Sequence, residues 1–260
     1  MPPAALTPPP QPLTDQDIEA IERATLDAVA PPAVEQLDRW LLPFDSSTIG
    51  RAISAVPLRH DERDATVVRA IAARYAARGM AAAFRVADVP GLAGVRAELA
   101  RLGYRAQQAT LVQVGSVASM LELGAAPPAE VRDTADAAWA APFLTAGFDP
   151  VDGAHRIQAL RRARNAVYAT LCEDGQTLAC GTAAFGFGWA SIHGMRTVAA
   201  SRGQGLAARV LAGLAQAAVE RGLQRVFLQV EADNTAALRL YQRTGFSTAW
   251  RYHYWRPSPG

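Results

Sequence analysis

Three stretches in the second half of the chain carry residue types whose spacing suits chemistry. Arg202-Gly203-Gln204-Gly205-Leu206-Ala207 follows the strand-like Met195, Thr197 and Val198 and opens an Ala/Leu/Val helix. Such a turn leaves several backbone N–H groups unpaired at a helix N-terminus, all pointing one way. The helix dipole makes that end electropositive. Glycines at 203 and 205 let the backbone close on a bulky anion that a Cβ would obstruct. The expected ligand is therefore a phosphate or pyrophosphate. No Gly-Lys-Ser/Thr ends the turn, which excludes a Walker loop, and a G-x-G-x-x-G fingerprint is absent. The second stretch, Glu231 to Phe246 (EADNTAALRLYQRTGF), follows a strand at Val226 to Val230 and holds Asn234, Ala237 and Tyr241. The third is His193, whose ordinary pKa of about 6.5 suits proton abstraction near neutrality.

Arg202 to Ala207 resembles the R/Q-x-x-G-x-G/A pyrophosphate loop of the GNAT superfamily of acyl-CoA-dependent N-acyltransferases. Asn234, Ala237, Tyr241, Gly245 and Phe246 resemble that family's second signature, N-x-x-A-x-x-x-Y-x-x-x-G-F after a strand. The two occur in the family's order with one helix between them. The resemblance extends more loosely over residues 130 to 260. It implies a mixed α/β fold and acetyl-CoA as acyl donor, with no metal. It implies direct acetyl transfer, in a ternary complex, to a primary amine on a small-molecule or peptide acceptor.

The same resemblance distributes the roles. Arg202 to Ala207 would hold the pyrophosphate. Met195, Thr197 and Val198 would pair with the pantetheine arm like an added strand, and the Val198 N–H would polarise the thioester carbonyl. Asn234 would hydrogen-bond the arm, Ala237 would lie beside it, and Tyr241 would protonate the leaving thiolate. For the base, two groups stay open. His193 is expected on the same strand face as Met195, and Glu231 could act through water. Arg196 alternates to the face opposite Met195 and is expected off the cofactor. A non-catalytic acyl-CoA sensor is the alternative; it would keep the loop but would not need Tyr241.

The elements that must position these groups are legible from periodicity. Thr14 to Ala28 reads as a capped helix. Trp40 to Phe44 and Ile49 to Leu58 read as strands, Asp64 to Arg78 as a helix, Ala82 to Val86 as a strand, Ala93 to Leu102 as a helix and Tyr104 to Val114 as a strand. That order repeats the second half of the GNAT pattern. ARYAARGMAAAFRV (73 to 86) matches AQAAVERGLQRVFLQV (215 to 230), so that Gly79 falls on Gly222 and Phe84 on Phe227. ELARLGY (98 to 104) matches LYQRTGF (240 to 246) after one deletion. Two GNAT-like domains in tandem are expected: a tail at 1–13, a degenerate domain at 14–122 and a catalytic one at 130–260.

In the first copy the loop position is taken by Arg59-His60-Asp61-Glu62-Arg63-Asp64, and Leu99 stands for Tyr241. Three carboxylates there would repel phosphate. The N-terminal half is expected to be non-catalytic; it could line the acceptor pocket or simply cover an edge or apolar face. Gly124 to Pro128 reads as a linker, and Glu130 to Ala140 and Gly153 to Ala163 as helices. Trp139, Phe143 and Phe148 could line a pocket or pack the core. The strand Tyr252-His253-Tyr254-Trp255 could face the acceptor or pack an edge.

Composition bounds the remainder. Half of the residues are hydrophobic and the net charge is +2, so neither nucleic acid nor another polyion is an expected partner. No apolar run approaches the ~20 residues of a membrane span. The N-terminus lacks the basic and apolar regions of a signal peptide. Cys172 and Cys180 flank a hairpin turn and are expected to be buried free thiols, which fits a cytoplasmic location. A monomer or a homodimer is compatible with all of this.

Overall fold

The computed structural model describes residues 13–62, 64–122 and 127–258. The expected tail, apart from Leu13, Arg63 of the acidic segment and residues 124–126 of the expected linker lie outside the described residues.

The first half runs α1 (Asp15–Val29), β1 (Ala33–Leu37), β2 (Trp40–Phe44), α2 (Gly50–Ile53), β3 (Ser54–Pro57), α3 (Val67–Ala76), β4 (Ala83–Ala87), α4 (Ala93–Arg101) and β5 (Tyr104–Ser116). The second runs α5 (Val117–Glu122), β6 (Glu130–Arg132), α6 (Ala137–Ala140), α7 (Pro150–Arg162), β7 (Ala166–Glu173), β8 (Gln176–Gly186), β9 (Trp189–Thr197), α8 (Leu206–Glu220), β10 (Arg225–Glu231), α9 (Thr235–Arg243) and β11 (Ser247–Pro257). Helix starts follow local chemistry. Thr14 and Asp17 cap α1 reciprocally. Asp149 caps α7 ahead of Pro150, and Asn234 caps α9.

Three expectations change. Ile49 to Leu58 is a short helix and then a strand, because the Gly50 turn brings the chain against the Tyr254 ring. Glu130 to Ala140 is not one helix. Its first residues pair with Tyr168 to Thr170 as an edge strand, and the helix begins only after the Asp136 cap. β1 was not anticipated: its AVEQL pairs with β2 and is largely exposed, so it carries little hydrophobic signal.

All strands join one mixed sheet in the order β1-β2-β3-β4-β11-β5-β10-β9-β8-β7-β6. The two halves exchange their closing strands at its centre. β11 of the second half lies antiparallel between β4 and β5, and β5 of the first half lies antiparallel between β11 and β10. Tyr104 pairs with Pro257 and Ser247 with Val114, so the two strands run full length against each other. One sheet thus crosses the expected division between the halves. One side of the C-terminal strands is covered by α8 and α5 through Leu206, Val210, Leu211, Leu214, Val117 and Met120. The other is covered by α1, α6 and α7. α1 carries Ile18 and Ile21 into the core of the first half and also packs on β8 and β9 of the second. A buried ion pair, Glu22 to Arg85 at 2.6 Å, ties α1 to β4. Burial raises the Glu22 pKa, against the pull of Arg85.

Candidate acyl-donor and acceptor site

The glycine turn forms as its residue types require. Gly203 and Gly205 both sit at φ +78°, the left-handed region, and no heavy atom lies within 4 Å of where a Cβ would stand on either. Gly205 caps α8, and the first bonds that return to it come from Ala208 and Arg209. Among the described residues no protein acceptor takes the N–H groups of residues 203–207. Five donors without a protein acceptor and an electropositive helix end therefore lie beside two uncrowded glycines, a fit for a pyrophosphate. Arg202 stays exposed beside them, its Nε 3.4 Å from the Thr197 carbonyl and its guanidinium 5.8 Å from the Phe148 ring.

At the equivalent place in the first half, protein contacts take up the groups. Asp61 meets Arg39 at 3.5 Å, Glu62 accepts from the Trp40 indole at 3.1 Å, and Asp64 caps the Thr66 N–H at 2.9 Å. His60 packs edge-on against Trp250, and its carbonyl fills the place of a Cβ on Gly91. Leu99 is fully buried.

β9 pairs with β10 only from Ala190 to Ile192, and beyond that the two strands separate. The separation coincides with a bulge. Thr182 opposes His193 and Cys180 opposes Arg196, so Gly194 and Met195 together face Gly181, with Gly194 at φ +60°. The bulge reverses the expected alternation. Thr182 and Cys180 share one face of β8, which puts His193 and Arg196 together on that face. Met195 turns to the other side, with its sulfur and Val210 crowding Gly181. The expectation that His193 shares a face with Met195 is corrected here, because an extra residue inverts a period of two. Arg196 does lie opposite Met195.

Val198 is corrected as well. Its N–H donates to the Leu178 carbonyl at 2.9 Å and is not free for a thioester. Alternation then turns the Thr197 N–H away from β8, toward the gap between β9 and β10.

Tyr241 is the buried residue of α9, 5.8 Å from the Phe246 ring. Burial pushes its hydroxyl up to about 12, against a lowering field from Arg196. Asn234 spends its Oδ1 on the Ala237 N–H at 3.1 Å and leaves its amide nitrogen for a ligand. Ala237 is half-buried on the same first turn. Glu231 is exposed and accepts from Gln108 at 2.8 Å. His193 is buried, with both ring nitrogens unpartnered and its ring edge-on to Phe227. Burial and the nearby Arg51 hold its pKa well below the ordinary value, so it is neutral at pH 7. Among the described residues no three His, Cys, Asp or Glu side chains are grouped to hold a metal.

Trp139 and Phe143 are core: the Trp139 indole donates to the Gly181 carbonyl, and Phe143 packs on Gly194. Phe148 is half-buried, with the Arg196 guanidinium 4.7 Å above it. Cys172 is exposed and only Cys180 is buried, which corrects the expectation of two buried thiols; Cys172 lies just before the hairpin turn, where the strand leaves the core. One contributor was missed in the sequence, Arg51. Nothing in its local spacing marks it, because its charge reaches His193 only in the folded chain.

Residues 129–246 match the family model described as Acetyltransferase (GNAT) family. Over this segment, just under half of the chain, the sequence is similar to that family. Curated relatives align over short stretches. A mycothiol acetyltransferase of Corynebacterium aurimucosum is 44% identical over 57 residues, 22% of this chain and 19% of that protein. An uncharacterized N-acetyltransferase of Bacillus subtilis is 34% identical over 76 residues, 29% of this chain and 31% of that one. The chain thus spans a fifth to a third of those relatives' lengths.

Solved structures share the fold over nearly the whole chain. A GCN5-related N-acetyltransferase from Kribbella flavida superimposes with a TM-score of 0.71 at 17% identity, covering 96% of this chain and 98% of that one. A tandem GNAT protein from the clavulanic acid biosynthesis pathway gives 0.60 at 17% identity, with the same coverage. The tandem arrangement of two GNAT-like halves is therefore a known form of the fold. No helix among the described residues is long and apolar enough to cross a membrane.

Proposed function

We propose that the protein is a cytoplasmic N-acetyltransferase that moves an acetyl group from acetyl-CoA to a primary amine by direct transfer. The observation that carries this is the set of five N–H groups at residues 203–207 with no acceptor among the described residues, beside two left-handed glycines. Those donors would hold the pyrophosphate, and the Asn234 amide would bind the pantetheine arm. The Thr197 N–H, turned to the gap between β9 and β10, takes the role expected of Val198. Bound acetyl-CoA supplies the activated acyl carbon.

The amine nitrogen attacks that carbon, the carbon–sulfur bond breaks, and the sulfur leaves as thiolate. Tyr241, kept protonated by burial, gives its proton to the thiolate. The ammonium proton passes to the base, His193 or Glu231, and pH–rate profiles of His193→Gln and Glu231→Gln distinguish them. The N-terminal half, residues 14–122, is non-catalytic in this reading. Support comes from the occupied contacts of Asp61, Glu62 and Asp64 and from Leu99 at the Tyr241 position.

The test is calorimetric titration with acetyl-CoA and with free CoA. One site per chain is expected. Two sites would overturn the assignment of the first half, and no binding would overturn the assignment of the loop.

A further inference from the structure

The face of β9 that carries His193 and Arg196 is unusual in what it leaves unpaired. His193 is 3% exposed and Thr182 opposite it is fully buried, yet neither imidazole nitrogen nor the threonine hydroxyl has a partner. Buried polar atoms without partners are rare and mark places where water or a ligand completes the set. Arg196 shares this face of β9, and the charge of Arg51 acts on His193. Arg196 lies between Phe143, at 5.5 Å, and Phe148, at 4.7 Å; its Nε is buried and unpartnered, and it bonds only the Met195 carbonyl. Arg51, from α2 of the other half, has a buried, unpartnered Nε, and its side chain makes no hydrogen bond among the described residues.

Among the described residues neither guanidinium meets a carboxylate within 4.0 Å. The nearby acids are otherwise engaged: Asp152 holds Arg156 and the Thr48 hydroxyl, Glu231 holds the Gln108 amide, and Glu22 holds Arg85. A guanidinium is a fork of donors matched to carboxylate or phosphate oxygens, and a desolvated one is stable only when its charge is met. A polycationic acceptor would be repelled from this strip.

We propose that the acceptor is a small amine that also carries an anionic group, carboxylate or phosphate, held by Arg51 and Arg196 so that its amine lies at His193. This rests on the acetyltransferase reading and adds the substrate class. It also gives the first half a task in the site, since Arg51 comes from that half and a single C-terminal half would lack it.

The experiment measures thiol release from acetyl-CoA with four sets of probes: L-amino acids, their amides, phosphoethanolamine and spermidine. The expected result is turnover of amino acids, with kcat/KM at least tenfold above the matching amides; preference for phosphoethanolamine instead identifies phosphate as the anion. In Arg51→Gln and in Arg196→Gln the KM for the best anionic amine rises tenfold or more, while the acetyl-CoA dissociation constant, which also reports a folded protein, moves less than twofold. Preference for amides or spermidine, or an unchanged KM in both variants, overturns the proposal. So does acetyl-CoA binding without turnover of any anionic probe. Absence of acetyl-CoA binding by the wild type would instead overturn the donor site on which the proposal rests.

Discussion

The Phe246 ring lies 3.3 Å from the point where a Cβ on Gly115 would stand, so these two residues close the β5–β11 pair against each other. Gly115 is the penultimate residue of the last strand of the first half, and Phe246 precedes the last strand of the second. Their contact sits where the two halves exchange strands, and neither half has its central neighbours without the other. Gly115→Val would force the ring aside and is expected to destabilise the protein by about 1–3 kcal/mol. Urea unfolding checks this, and the wild type should show one transition. Two separate transitions in the wild type would mean that the halves fold independently.

Gly205 tests the anion cradle without touching the core. A residue with a side chain at φ +78° pays about 1–2 kcal/mol of backbone strain. Gly205→Glu adds a carboxylate within the turn that carries the five N–H groups. Acetyl-CoA affinity should fall at least tenfold, while the circular dichroism spectrum stays that of the wild type. Retained affinity would remove the loop from the donor site.

Tyr241→Phe keeps the ring against Phe246 and removes only the hydroxyl. Turnover is expected to fall by about 10²- to 10⁴-fold, the usual contribution of a positioned acid, with acetyl-CoA affinity unchanged. Because burial raises the hydroxyl to about 12, it stays protonated up to pH 10. The wild-type rate should therefore show no loss from Tyr241 between pH 6 and pH 10. Unchanged turnover in the variant would make Tyr241 a packing residue.

His60 should make stability depend on pH. Burial beside Trp250 lowers its pKa from 6.5 to about 4, against the raising fields of Asp15 and Asp61. The unfolded chain binds a proton at His60 below pH 6.5, and the folded one only near pH 4. Unfolded protein therefore holds more protons across that window, and stability falls as pH drops from 6.5 toward 4. Each pH unit there is worth about 1.4 kcal/mol. His193, also lowered, adds a loss of the same sign. Denaturation midpoints from pH 4.5 to 7.5 should rise with pH, and His60→Gln should flatten part of the slope. An identical slope in the variant would rule His60 out.

Much of the site was written in short runs of sequence. The glycine turn, the Asn234 cap and Tyr241 on the same helix are fixed by neighbours within a few residues, because capping, left-handed turns and helix periodicity are local. The repeat of Gly79 and Phe84 at Gly222 and Phe227 likewise showed two similar halves. Tertiary structure decided the rest. The bulge at Gly194 set the faces of His193 and Met195, because it depends on how β8 and β9 pair and not on the run itself. The same pairing occupied the Val198 N–H and left Thr197 outward. The exchange of β5 and β11, and the arrival of Arg51 near His193, join residues far apart in the chain. Such contacts arise from long-range strand pairing and burial, which no local pattern of residues encodes.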